Sequence, residues 1–149
     1  MRLDDETFLR VIEATPLVSI DLIIRNAQGQ VLLGKRVNRP AQGFWFVPGG
    51  RIRKNERVHQ ALQRISKEEC GFVVDNPALI GVFDHIYHDN FAGREGINTQ
   101  YVVIAYSWRA GPDVRFAPDS QHSELKWWTV EAVVGSSEVH PNTKAYFSS

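Results

Sequence analysis

Two adjacent carboxylates, Glu68 and Glu69, close a helical stretch. Ahead of that stretch lie the glycine pair Gly49 and Gly50 and the cations Arg51, Arg53 and Lys54. From Glu56 onward, Val58, Leu62 and Ile65 recur three and four residues apart, with Ala61 beside them. That is one apolar stripe, and it predicts a helix over 56–69. Continued by four, the stripe arrives at Glu69. A carboxylate on a buried stripe is costly unless it is paired, hydrogen-bonded or bound to a metal. One reading is that the helix end frays, so that Glu69 meets water or an arginine. The other joins Glu69 to a glycine carbonyl and to the arginines. Hard oxygen ligands hold a divalent cation, glycine lets backbone approach a ligand closely, and guanidinium forks grip phosphate.

The elements that must position these groups can be read from periodicity. DDETFLRVIE, residues 4–13, spaces Phe8, Val11 and Ile12 at helical intervals after an acidic start. In PLVSIDLIIR, Val18, Ile20, Leu22 and Ile24 alternate with Leu17, Ser19, Asp21 and Ile23, a strand pattern in which Asp21 is the odd residue of its face. NAQGQ then turns the chain, and VLLGKR returns as the second half of a hairpin. NRPAQGFWFVPGGR reads as loop with a short strand at 44–47. Two longer strands are expected at 78–87 and 99–108, a short one in ELKWWTV, a helix after Thr129 as cap, and a last short helix in HPNTKAYF. Strands mixed with helices, with helices first and last, predict a single α/β domain over 1–149, built as an α/β/α sandwich on a mixed β-sheet.

Composition removes several classes of function. Lys and Arg total 17 and Asp and Glu total 17, so no broad basic face for nucleic acid is expected. The single cysteine, Cys70, excludes an internal disulfide and fits a reducing, cytoplasmic compartment. MRLDDETFLR carries no apolar signal-peptide core, and no stretch approaches the roughly 20 apolar residues of a membrane span.

The stretch from Gly50 through Glu56, Arg64, Glu68, Glu69 and Gly71 to Phe72 resembles the Nudix box, G-x5-E-x7-R-E-U-x-E-E-x-G-U, without a gap. Such a long spaced pattern is specific. Two positions depart from it. Ile65 stands where the box has the first glutamate of R-E-U-x-E-E, and Ser66 replaces the aliphatic after it. That glutamate is a metal ligand in ordinary Nudix diphosphatases, and isoleucine has no ligand atom. TPLVSIDLI, GKRVNRPAQGFWFVPGGR, YHDNFAG, the QH of DSQHSELKWW and VHPNTKAYF are similar to the GDP-mannose mannosyl hydrolase branch of the family. The resemblance runs from about Thr15 to Phe147. That branch also lacks the first glutamate, and it hydrolyses a GDP-hexose to GDP and free sugar by inverting attack of water at the anomeric carbon.

The resemblance implies a set of roles. Glu69, the Gly49 carbonyl and Gln121 would bind Mg²⁺, with Mn²⁺ as the other candidate. His122 would be the general base, and a histidine's unperturbed pKa near 6.5 suits that task at neutral pH. Arg36 and Arg51 would assist departure of the diphosphate, with Tyr101 adding a hydrogen bond. Asp21 and His85 would lie by the sugar, where a carboxylate can stabilise an oxocarbenium-like carbon. Their alternatives are an exposed strand position for Asp21 and a core histidine for His85. Phe8 would stack on guanine, or else serve as a core or dimer contact. Arg64 would orient its neighbours, and Glu68 would either pair with Arg64 one turn back or join the metal. A homodimer is also implied. Two rival functions remain: an ordinary Nudix diphosphatase attacking phosphorus, and a non-catalytic nucleotide-sugar sensor.

Overall fold

A computed structural model describes residues 2–116 and 122–148 of the chain, without the side chains of residues 122 and 123. Helix α1, Asp5–Ala14, starts at Asp4, whose side chain accepts a hydrogen bond from the Thr7 amide at 2.8 Å. This satisfies one of the unpaired donors of the first turn. Leu9 and Ile12 are its buried residues.

Strand β1, Leu17–Arg25, is the axis of the sheet. Along one edge it pairs in parallel with β6, Thr99–Arg109, from Leu17↔Tyr101 to Arg25↔Arg109. Its other edge is shared. β2, Val31–Arg36, joins it at Arg25↔Val31, and β4, Gly49–Arg51, pairs antiparallel at Ser19–Asp21. β5, Ala78–Tyr87, lies antiparallel beyond β6. β3, Trp45–Phe46, and β7, His122–Trp128, both pair with β2. The sheet is therefore mixed, as the sequence predicts. The PGGR segment departs from the loop expected from its sequence: Gly49–Arg51 is a short strand. Three residues with two glycines carry no period, so only their neighbour reveals the pairing.

The two faces of β1 feed two cores. Ile20, Leu22 and Ile24 pack with Ala61, Leu62 and Ile65 of helix α2, Val58–Cys70. Ile23 packs on the opposite face with Val31, Leu33, Trp45, Ala105 and Val133. Val133 belongs to α3, Val130–Gly135, which Thr129 caps by accepting from the Ala132 amide. α4, Pro141–Lys144, follows, capped by His140. Helices on both faces of a mixed sheet make the expected α/β/α sandwich. Trp45 and Trp128 are core residues. No helix among the described residues is long and apolar enough to cross a membrane.

Candidate active site

The odd-numbered face of β1 turns Ser19 and Asp21 toward the C-terminal helices rather than toward α2. Side chains alternate along a strand, and the register brings Tyr101 and Val103 of β6 and His85 and Tyr87 of β5 to the same side. Arg36, Phe46, Val47, Gly49, Gly50, Arg51 and Glu69 complete an open cleft with a cavity volume of about 100 Å³. Of the residues assigned from sequence, the cleft thus collects Asp21, Arg36, Gly49, Arg51, Glu69, His85 and Tyr101. Phe8 is not in its lining; the Arg51 guanidinium lies over the Phe8 ring at 4.9 Å, and Phe91 packs beside it at 5.2 Å. Gln121 falls outside the described residues. His122 is described by its backbone alone, which stands opposite Arg36 in the β2–β7 register.

The glycine pair sets how closely the parts approach. A β-carbon on Gly49 would sit 2.5 Å from both Asp21 Oδ1 and the Ile20 carbonyl oxygen. One on Gly50 would sit 3.2 Å from Ile65 Cγ1. Glycine at both positions therefore lets β4 lie between the Asp21 carboxylate and α2. Ile65 is 1% exposed and belongs to the core under β4. The position where the Nudix box carries a glutamate is filled here by packing.

The box arginine holds this junction together. Arg64 Nε donates to Glu56 Oε2 at 2.7 Å, and a terminal nitrogen donates to Glu56 Oε1 and to the Arg51 carbonyl, both at 2.9 Å. The Glu56 carboxylate also accepts from the Arg53 amide at 3.0 Å. The Arg64 hydrogen bonds hold Glu56 down at about 2, far below its ordinary range. Glu68 accepts from Arg64 at 3.3 Å, as the pairing alternative expects, and is absent from the cleft lining. Arg64→Ala is expected to lower stability by about 2 kcal/mol, because it leaves a half-buried carboxylate without its charged donor. The loss is present above the ordinary carboxylate pKa near 4.5 and fades as pH falls toward 2, which urea unfolding at pH 7 and pH 3 would register.

Two histidines and two tyrosines are kept neutral. Burial lowers the pKa of His85. Burial, His85 and Arg36 push His140 down to about 4. Its Nδ1 accepts from the Asn142 amide at 3.0 Å, so its other ring nitrogen carries the proton. Burial raises Tyr101 and, to about 12, Tyr87, so both hydroxyls remain donors. Asp21 follows the same rule: burial raises it to about 7, against the lowering effect of a hydrogen bond from Tyr146. Asp21 is therefore no exposed strand residue, and its side chain is 18% accessible.

Ser19, Phe46, Tyr87, His140 and Tyr146 were not read from the sequence as site residues. Tyr146 lies 125 residues from the Asp21 it contacts, and no local periodicity joins them. His140 stacks on Phe46 at 4.8 Å and meets Tyr87 at 5.2 Å, a cluster made by tertiary packing alone.

The site and the sandwich define a class. The chain belongs to the Nudix family, since the NUDIX domain model matches residues 15–148. Among its relatives is the low-salt glycan biosynthesis protein Agl8 of Haloferax volcanii, 41% identical over 126 residues, spanning 84% of this chain and 78% of that protein. The ADP-ribose pyrophosphatase of Methanocaldococcus jannaschii is 33% identical over 102 residues, spanning 68% and 60%. Among solved structures, a MutT Nudix hydrolase from Burkholderia pseudomallei superposes with a TM-score of 0.69 at 27% identity, over 89% of this chain and 96% of that one. The MutT protein of Methanosarcina mazei Go1 gives 0.71 at 22% identity, over 90% and 92%.

Proposed function

We propose that the chain hydrolyses a GDP-hexose, GDP-mannose first and GDP-glucose as the other donor considered, to GDP and the free sugar. Water attacks the anomeric carbon with inversion. The single observation that carries this reading is the division of carboxylates in the cleft. The Nudix helix supplies Glu69 alone, Ile65 being buried where a further ligand would stand. A separate carboxylate, Asp21 of β1, lines the same cleft, with His85 Nδ1 4.0 Å from it. This suits a site that neutralises a leaving diphosphate at one end and supports positive charge on a sugar carbon at the other. The relative named for glycan biosynthesis agrees with a sugar-nucleotide substrate.

In the proposed step the water oxygen bonds to the anomeric carbon as its bond to the diphosphate oxygen breaks. The bonding pair leaves with GDP, and His122 takes the proton from water. Arg36 and Arg51 would bind the departing diphosphate, and the Tyr101 hydroxyl would donate to it. No group of three or more His, Cys, Asp or Glu side chains comes together among the described residues. Glu69 and Gly49 line the cleft, and the Glu69 carboxylate and Gly49 carbonyl, together with the side-chain oxygen of Gln121, would give an all-oxygen donor set suited to one hard divalent cation such as Mg²⁺ or Mn²⁺. When bound, such an ion supplies positive charge to the leaving group. A homodimer in the cytoplasm belongs to the same reading. The β5 edge, with Leu79, Val82 and Ile86 exposed, supports association.

Attack at phosphorus is the second reading, and the ADP-ribose pyrophosphatase relative favours it. Hydrolysis of a panel of nucleotide sugars in ¹⁸O-labelled water with Mg²⁺ separates the two. Label in the hexose is expected. Label in the nucleotide would replace this reading with diphosphatase action, and binding without turnover would replace it with a sensor.

A further inference from the structure

The stretch 145–148, beyond α4, runs back to the cleft. The Tyr146 hydroxyl donates to Asp21 Oδ2 at 2.7 Å. His85 Nδ1, the other polar neighbour of that oxygen, is 4.0 Å away, outside hydrogen-bond range. On the opposite side of the carboxylate, Oδ1 faces the Gly49 backbone, where even one added carbon would come within 2.5 Å. Asp21 is thus clamped by a hydroxyl on one oxygen and by backbone against the other. A carboxylate otherwise turns broadly about its last torsion, so the short bond fixes the orientation of the carboxylate plane.

The donor itself is firmly placed. Trp45 and His140 exchange backbone hydrogen bonds with the 138–140 segment and β3: the Trp45 amide donates to the Glu138 carbonyl at 2.9 Å, and the His140 amide to the Trp45 carbonyl at 3.1 Å. The Tyr146 amide donates to the Thr143 carbonyl at 3.1 Å. The Tyr146 ring packs edge-on against Phe83 at 5.0 Å and beside His85 at 5.9 Å. Its hydroxyl keeps its proton, because burial and the adjacent Asp21 both disfavour the phenolate.

We propose that Tyr146 is a positioning residue of the hydrolytic site, whose hydroxyl orients the Asp21 carboxylate toward the reacting sugar. The inference rests on the assignment of Asp21 to the sugar end of the cleft. Tyr146 is not itself among the residues that line the cleft, so its hydroxyl acts through Asp21 and not on the substrate. Its contribution falls in the transition state, where charge on the sugar carbon grows, more than in the ground state.

Tyr146→Phe keeps the ring against Phe83 and removes the hydroxyl alone. With the full-length protein, Mg²⁺ and GDP-mannose, kcat is expected to fall about tenfold, the loss of one hydrogen bond to a charged group. KM should stay within about twofold, which is the pattern of an interaction made in the transition state. An unchanged kcat, or a fall in kcat matched by a lowered melting midpoint and a raised KM, would overturn the inference. The wild-type ¹⁸O result is read separately. Label in the nucleotide overturns the carbon-attack reading, whereas label in the sugar with an undiminished Tyr146→Phe rate overturns only the role of Tyr146.

Discussion

His122→Gln is expected to lower turnover of GDP-mannose by about 100- to 10,000-fold at neutral pH, the range that a positioned general base supplies, while substrate affinity changes little. Glutamine keeps hydrogen-bonding capacity but cannot take a proton from water. The placement behind this expectation is a backbone one. His122 opens β7 and stands opposite Arg36, a cleft residue, across the β2–β7 ladder, with a register shift between Gly34 and Arg36. Such irregularities re-aim side chains at sheet rims and are frequent beside active sites. The measurement is kcat and KM across pH 5.5 to 9, because loss of a base should flatten the acid limb of the wild-type profile. A wild-type rate in His122→Gln would remove this residue from the mechanism and leave Asp21, His85 and Glu69 as the proton-accepting side chains that line the cleft.

What the sequence made legible follows from where the information is local. Helix α2 is readable because its stripe runs over about three turns and ends at a glycine, although Val58 at its start is exposed. Gly71 does take the left-handed conformation there, with φ of 83°. The Arg64–Glu68 pair was readable for the same reason, being one turn apart. The Nudix box carried the likeness because its spacing compresses a helix, a glycine strand and an ion-pair network into one contiguous pattern. Asp21 was noticed as the odd residue of its strand face, but its burial could not be inferred. That burial depends on β5, β6 and the C-terminal segment converging from distant parts of the chain. The same holds for His140, to which the sequence assigns no role and which is both a helix cap and part of an aromatic cluster. PGGR hid a strand because glycine has no side chain with which to display a period.

Asp21→Asn is expected to make the protein more stable and at least about 100-fold less active, two effects with one cause. In the native state burial raises the Asp21 pKa from the ordinary 3.8 to about 7. For a carboxyl group raised in this way, the folded protein holds a proton that the unfolded chain releases between those two values, so stability falls as pH rises through the interval. At about 1.4 kcal/mol per unit, a cost on the order of 4 kcal/mol has accumulated above pH 7. Asparagine carries no charge to bury and can still accept the Tyr146 hydroxyl, so part of that cost is recovered, on the order of 1–3 kcal/mol. The advantage of Asp21→Asn should be larger at pH 8 than at pH 5, where the native carboxyl is still protonated. Urea unfolding of both proteins at the two pH values gives the comparison. An equal gap at both, or a mutant less stable at pH 8, would show that Asp21 is not ionised against its burial. Retaining a carboxylate that weakens the fold is understandable only if the charge serves the cleft. A stable but slow Asp21→Asn therefore ties the misfit residue of β1 to the reaction at the sugar end of the site.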